Sequence, residues 1–296
     1  MKLSEINIRD PYILPAEGKY YMYGTRSETT WGSGDGFDCY VSEDLNNWEG
    51  PKEIFHRPEG YFANREYWAP ECVYRNGRYY LVATLGGDAV PFKGIYALRS
   101  KTPDGPFEVY GSRLVPPDWD CLDGTVYEED GIPYLVFSHS FGDPYQCSGE
   151  MAAIALKEDL SGPEGEPFRL FSASEAPWNT LFPYAKEEFS LDYPIYFTDG
   201  PCLRKMPDGI LYMTWSSWSS QGYAVGVAIS ENGTLRGPWK QLETPLFPEN
   251  GGHGMFFTDH QGNTFFTLHY PNDKYKEHPV FYPVELKDGQ VRLVTG

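Results

Sequence analysis

The sequence predicts an all-β fold, a five-bladed β-propeller, on three observations. Aromatic residues make up 17% of the 296, with 31 Gly and 25 Pro, a mixture of strand and turn formers that leaves little room for helix. One phrase recurs five times: an apolar run, a turn closed by Gly, and a second run opening on an aromatic or apolar residue. The turn glycines, Gly18, Gly77, Gly131, Gly209 and Gly262, follow at intervals of 59, 54, 78 and 53 residues, the length of a four-stranded blade with one longer insertion after the third. The chain reads as one propeller domain over residues 1–296.

The copies run Pro11–Thr25, Cys72–Thr84, Thr125–Ser138, Cys202–Ser216 and Met255–His269. Each is followed by a third alternating stretch: Phe37–Gly50, Ile95–Tyr110, Met151–Phe171, Ala224–Leu242 and Val280–Val294. The Ser-x-Asp-Leu-x-x-Trp run at Ser42–Trp48 and the Gly-Pro-aromatic endings at Phe107 and Trp239 read as a turn into an outer strand whose ring packs between sheets.

Asp and Glu total 42 against 24 Lys and Arg, a formal charge of −18, which repels nucleic acid and anionic membranes and leaves a neutral ligand as the better fit. No run approaches the roughly 18 apolar residues of a membrane span, and the first residues lack the apolar core of a signal peptide. Cys39, Cys72, Cys121, Cys147 and Cys202 are odd in number and free of CxxC pairs, which argues against a disulfide framework or a zinc site. A cytoplasmic location is the expectation.

In a propeller the inner strand of each blade begins near the axis, so residues heading the five copies converge. Those residues are Asp10, Glu71, Asp123, Asp199 and His253, read here as sharing one place before the turn glycine. A lone Asp before Gly or Pro is an ordinary turn former. Four acids and a histidine in one small volume are different, because like charges crowded out of water are unfavourable unless chemistry uses them. His139, His260 and His269 read as turn or strand-end residues.

With Arg9-Asp10-Pro11-Tyr12, Trp68-Ala69-Pro70, Leu122-Asp123-Gly124 and Gly252-His253-Gly254 in place, the chain resembles glycoside hydrolase family 43, five-bladed propellers acting on arabinose- and xylose-containing glycans. The resemblance implies Asp10 as general base, Asp123 as the residue that orients and tunes the acid, and Trp68 in the sugar pocket. It also implies His253 near a bound cation or water, with Glu71 and His253 among the substrate-binding residues. No cofactor is required, and a calcium near the axis would be structural, reached by His253 through water. The family's acid is a Glu before Gly-Pro, whereas this chain has Asp199-Gly200-Pro201, so either Asp199 or another acid such as Glu188 donates the proton. An Arg of the last blade that commonly reaches the axis has only His278 as its nearest counterpart.

Inverting hydrolysis needs one carboxylic acid to protonate the leaving oxygen and one carboxylate to activate water across the sugar. Asp10 and Asp199 on different blades suit that division. The expected activity is removal of terminal α-L-arabinofuranosyl or β-D-xylosyl residues, in a pocket closed by the insertion around Phe171–Tyr193. The alternatives are a glycan-binding propeller without turnover and a related propeller enzyme acting on another furanoside.

Overall fold

The computed structural model describes residues 1–143, 148–287 and 290–294. Among the described residues, twenty strands form five four-stranded antiparallel sheets, each built in chain order from inside to outside. Blade 1 comprises β1 (Ile8–Ala16), β2 (Lys19–Arg26), β3 (Gly36–Ser42) and β4 (Trp48–His56); blade 2 comprises β5 (Arg65–Arg75), β6 (Arg78–Gly86), β7 (Gly94–Ser100) and β8 (Glu108–Tyr110). Blade 3 holds β9 (Cys121–Glu129), β10 (Ile132–His139), β11 (Glu150–Ala155) and β12 (Phe168–Ser172). Blade 4 holds β13 (Asp199–Lys205), β14 (Leu211–Ser219), β15 (Gly222–Ser230) and β16 (Trp239–Gln241). Blade 5 holds β17 (Gly252–Thr258), β18 (Thr264–Tyr270), β19 (His278–Lys287) and β20 (Gln290–Leu293). The helix α1 (Ala185–Phe189) lies in the insertion between blades 3 and 4. No helix among the described residues is long and apolar enough to cross a membrane.

The repeated phrase is the inner hairpin of each blade. In the first three, two residues with left-handed φ, Glu17-Gly18, Asn76-Gly77 and Asp130-Gly131, link strands paired at Ala16–Lys19, Arg75–Arg78 and Glu129–Ile132. That double positive φ is what a two-residue hairpin matched to strand twist requires. The outer aromatics go where the pattern places them: Trp48 meets Phe281 of blade 5, Phe107 joins the core between blades 1 and 2, and Trp239 meets Phe171 of blade 3. Cys39, Cys72, Cys121 and Cys202 are buried free thiols, and Cys147 lies outside the described residues.

The core is divided among the interfaces between neighbouring blades. Blades 5 and 1 exchange no strand, so the ring is closed by side chains and by the segment preceding β1. Ile6 and Ile8 pack with Phe256, Phe257, Phe266 and Leu268. Asn7 Nδ2–H donates to the Glu277 carbonyl at 2.7 Å, and Arg9 pairs with the buried Glu277 carboxylate at 2.8 Å. The ring nitrogen Nδ1 of His278 lies 2.7 Å from the Ile6 carbonyl, which spends this residue on the seam and keeps it from the axis.

Candidate active site

Each inner strand carries a two-residue bulge near its start: the pairing register jumps between Arg9 and Tyr12, Trp68 and Glu71, Leu122 and Thr125, Asp199 and Cys202, and Gly252 and Met255. The first bulged residue always takes positive φ: Asp10 at 54°, Ala69 at 44°, Asp123 at 55°, Gly200 at 45° and His253 at 48°. Such conformations are uncommon for residues with a Cβ and recur where strain serves function. These five positions make an upper ring around the axis; two residues on, Tyr12, Glu71, Thr125, Cys202 and Met255 make a lower one.

This corrects the expectation that Asp10, Glu71, Asp123, Asp199 and His253 share one place. Asp10, Asp123 and His253 do; Asp199 stands one residue before its bulge and Glu71 two residues beyond Ala69. Glu71, expected to touch substrate, is not among the residues that line the cleft, and its Oε2 has no hydrogen-bond partner.

Asp199 nevertheless reaches the cluster. Three carboxylates point at one imidazole nitrogen, with His253 Nδ1 3.3 Å from Asp10 Oδ1, 3.5 Å from Asp123 Oδ2 and 3.4 Å from Asp199 Oδ1. Burial alone would favour neutral His253, but Asp10 and Asp199 outweigh it and raise its pKa above the ordinary value. Burial likewise works against charged Asp10, yet the charge of His253, with Arg9 behind it, holds this carboxyl well below the usual carboxylate range. Gly200 admits the ring: a Cβ there would lie 2.6 Å from His253 Cδ2.

Each acid has its own support. Thr25 Oγ1–H donates to Asp10 Oδ2 at 2.5 Å, and the Asp10 backbone N–H donates to His269 Nδ1 at 3.2 Å. That contact assigns the His269 proton to Nε2, which faces Asn272 Oδ1 at 3.1 Å. Thr84 receives the Asp123 N–H at 2.8 Å and sits 3.3 Å from Oδ1, while Gly200 N–H reaches Oδ2 at 3.4 Å. Tyr223 donates its hydroxyl to Asp199 Oδ2 at 2.7 Å and stacks on His269 at 5.7 Å. Tyr223 and His269 were not singled out as site residues because they come from β15 and β18, and only blade packing brings them to the axis.

The cluster floors a cleft of about 1370 Å³. Trp68 lines it, donating Nε1–H to the Thr30 carbonyl at 2.9 Å and meeting Trp31 edge-on at 6.3 Å. Trp31 remains 46% exposed, with Arg9 and Lys274 beside its ring. Trp218 also lines the cleft, whereas Trp215 is core. From the insertion, Phe182, Tyr184, Glu188 and Phe189 reach the wall, but Phe171 is buried in the sheet of blade 3. Glu188 is an exposed residue of the lining and makes no ion pair with His253, unlike Asp199.

Asp123, Asp199 and His253 offer three donor atoms within 4.8 Å of one another, a candidate cation position. Calcium takes six to eight oxygens, and this set supplies two carboxylate oxygens and a nitrogen. The raised pKa of His253 lets the ring itself serve as counter-charge to the acids, so no catalytic step is assigned to a cation.

A family model described as glycosyl hydrolases family 43 matches residues 3–291. The crystal structure of an endo-arabinase from Bacteroides thetaiotaomicron superposes with a TM-score of 0.88 and 34% identity, covering 98% of each chain. The arabinan endo-1,5-alpha-L-arabinosidase A of Aspergillus aculeatus is 24% identical over 66% of this chain and 59% of its own. The alpha-L-arabinofuranosidase 43 of Humicola insolens is 22% identical over 86% of this chain and 52% of its own. The chain thus spans little more than half the length of these two curated relatives.

Proposed function

The chain belongs to family 43 of the glycosyl hydrolases, and on that premise we propose that it cleaves α-L-arabinofuranosyl linkages within arabinan, with inversion. The observation that carries this reading is the gathering of Asp10, Asp123 and Asp199 from three blades around His253 on the floor of the cleft. Asp10, ionised and held by Thr25, activates water; Asp199 protonates the leaving oxygen; Asp123 fixes the backbone of Gly200 beside Asp199 and adds negative charge next to the acid. Asp10 and Asp199 approach one nitrogen at 3.3 and 3.4 Å, which puts those two oxygens at or below the lower edge of the spacing of an inverting pair. An inverting pair typically stands roughly 6.5–9.5 Å apart with water between.

Arabinan is favoured over a xyloside by the endo-arabinase likeness, at 34% identity over nearly the whole of both chains. Attack within the chain, in place of the end-trimming expected from sequence, is supported by the extent of the cleft, lined from the Trp31 wall to Tyr184 of the insertion. A second reading, glycan binding without turnover, draws on one contact: Asp199 Oδ2 accepts from Tyr223, whereas a general acid must itself carry a proton.

The test is hydrolysis of linear arabinan and of aryl α-L-arabinofuranoside and β-D-xyloside by the wild type, Asp10→Asn and Asp199→Asn. Arabinan should be cut to mixed oligosaccharides, and each variant should lose roughly a hundredfold to ten-thousandfold in turnover. Proton NMR of the first product reports the anomer, and retention would make Asp10 a nucleophile. Activity surviving in Asp199→Asn moves the acid to Glu188, and an inactive wild type that binds arabinan establishes the second reading.

A further inference from the structure

Glu66 lies on β5 at a second bulge, between Arg65 and Trp68, with a left-handed φ of 58°. Its carboxylate lines the cleft. Two costs are accepted to put it there. One is the backbone conformation, unfavourable for a residue with a Cβ. The other is glycine at the end of β6, where a side chain would ordinarily stabilise the strand: a Cβ on Gly86 would lie 1.6 Å from Glu66 Oε2.

The location follows from strand geometry. Thr84, which holds Asp123, and Gly86 are two residues apart on β6 and face the same side. The space above Gly86 is therefore roughly 6.5–7 Å along the strand from the support of Asp123. Glu66 fills that space, yet no described residue donates a hydrogen bond to it; its ion pair is with the neighbouring Arg65, at 4.0 Å. Burial raises its pKa against the opposing charges of Lys93 and Arg65.

We propose that Glu66 is a substrate-binding residue whose carboxylate accepts hydrogen bonds from the hydroxyls of the sugar next to the one beside Asp123, selecting for a glycan that presents them there. This rests on the arabinan reading above and adds to it the residue that recognises the neighbouring sugar.

The experiment measures binding of linear arabino-oligosaccharides by calorimetry in an Asp10→Asn background, with KM and kcat in the otherwise wild-type protein. Glu66→Ala should weaken binding about tenfold or more and raise KM with kcat nearly unchanged, because a charge-assisted contact is lost. Glu66→Gln, which keeps an acceptor, should recover part of the loss. Gly86→Ala should reproduce the defect by displacing the carboxylate, and should add nothing to Glu66→Ala. The melting temperature of Glu66→Ala should match the wild type. Unchanged affinity in Glu66→Ala, or an affinity loss that merely tracks a lowered melting temperature, would overturn the proposal while leaving arabinan cleavage intact. Failure of the parent protein to bind or cut arabino-oligosaccharides would remove the arabinan reading first, and this inference with it.

Discussion

The upper and lower rings on the same five strands treat buried charge in opposite ways. In the upper, Asp10 and Asp123, joined by Asp199, crowd one imidazole, and every carboxylate has at least one hydrogen-bond donor besides. In the lower, Glu71 stands among Tyr12, Thr125, Cys202 and Met255 with its Oε2 unpartnered, and burial pushes its carboxyl up to about 7 against a Thr125 hydrogen bond and the more distant charge of His253. The number of acids does not decide their state; a counter-charge within reach does. The crowded ring keeps Asp10 ionised for chemistry, and the sparse ring holds a carboxyl that is partly neutral near pH 7.

The sharpest way to break this contrast is to remove the counter-charge. His253→Gln should abolish turnover and cost about 3–5 kcal/mol, as uncoupling a buried ion cluster does, read by urea unfolding at pH 6. That pH matters: His253 has a raised pKa, so its contribution is complete below the ordinary 6.5 and is lost as pH climbs through the raised value. A variant as stable as the wild type at pH 6 would mean that the acids do not depend on the ring.

Glu71→Gln tests the lower ring with the opposite sign. Because the carboxyl titrates near 4.5 unfolded and about 7 folded, the folded state is weakened progressively as pH rises across that window. The variant should gain about 1–3 kcal/mol over the wild type at pH 8 and nothing at pH 4. A loss at pH 8 would show that the Thr125 hydrogen bond and the charge of His253 outweigh burial. Smaller still, Tyr223→Phe should cost about 1 kcal/mol and reduce turnover about tenfold, since Asp199 would keep His253 but lose a hydroxyl donor. No change in turnover would leave Tyr223 a packing residue.

Much of this was legible in the residues. The hairpin phrase with its turn glycine exposed the five blades, and short motifs around Asp10, Asp123 and His253 exposed three members of the upper ring. The bulges were not legible, since register against a partner strand is a property of two segments. Pro11, Pro70 and Pro201 all occupy second bulge positions, but the acid stands one residue before the first, one after the second and two before the third, so Glu71 and Asp199 were placed on one level when they lie on two. His269, Tyr223 and Glu66 carry no motif. Their roles depend on which blade packs beside which, and in the case of Glu66 on the bare Cα of Gly86.

The seam between the last blade and the first is also the mount of Asp10, the proposed catalytic base. Arg9, clasped by Glu277, precedes Asp10 in sequence, and His269 of the last blade holds the Asp10 backbone. Circular architecture and reactivity thus share one clasp. Loosening that clasp would misplace Asp10 while the sheets are still whole, which ties the working lifetime in a hot reaction to the contacts at this joint. Engineering for endurance should begin there, ahead of the well-packed interiors of the blades.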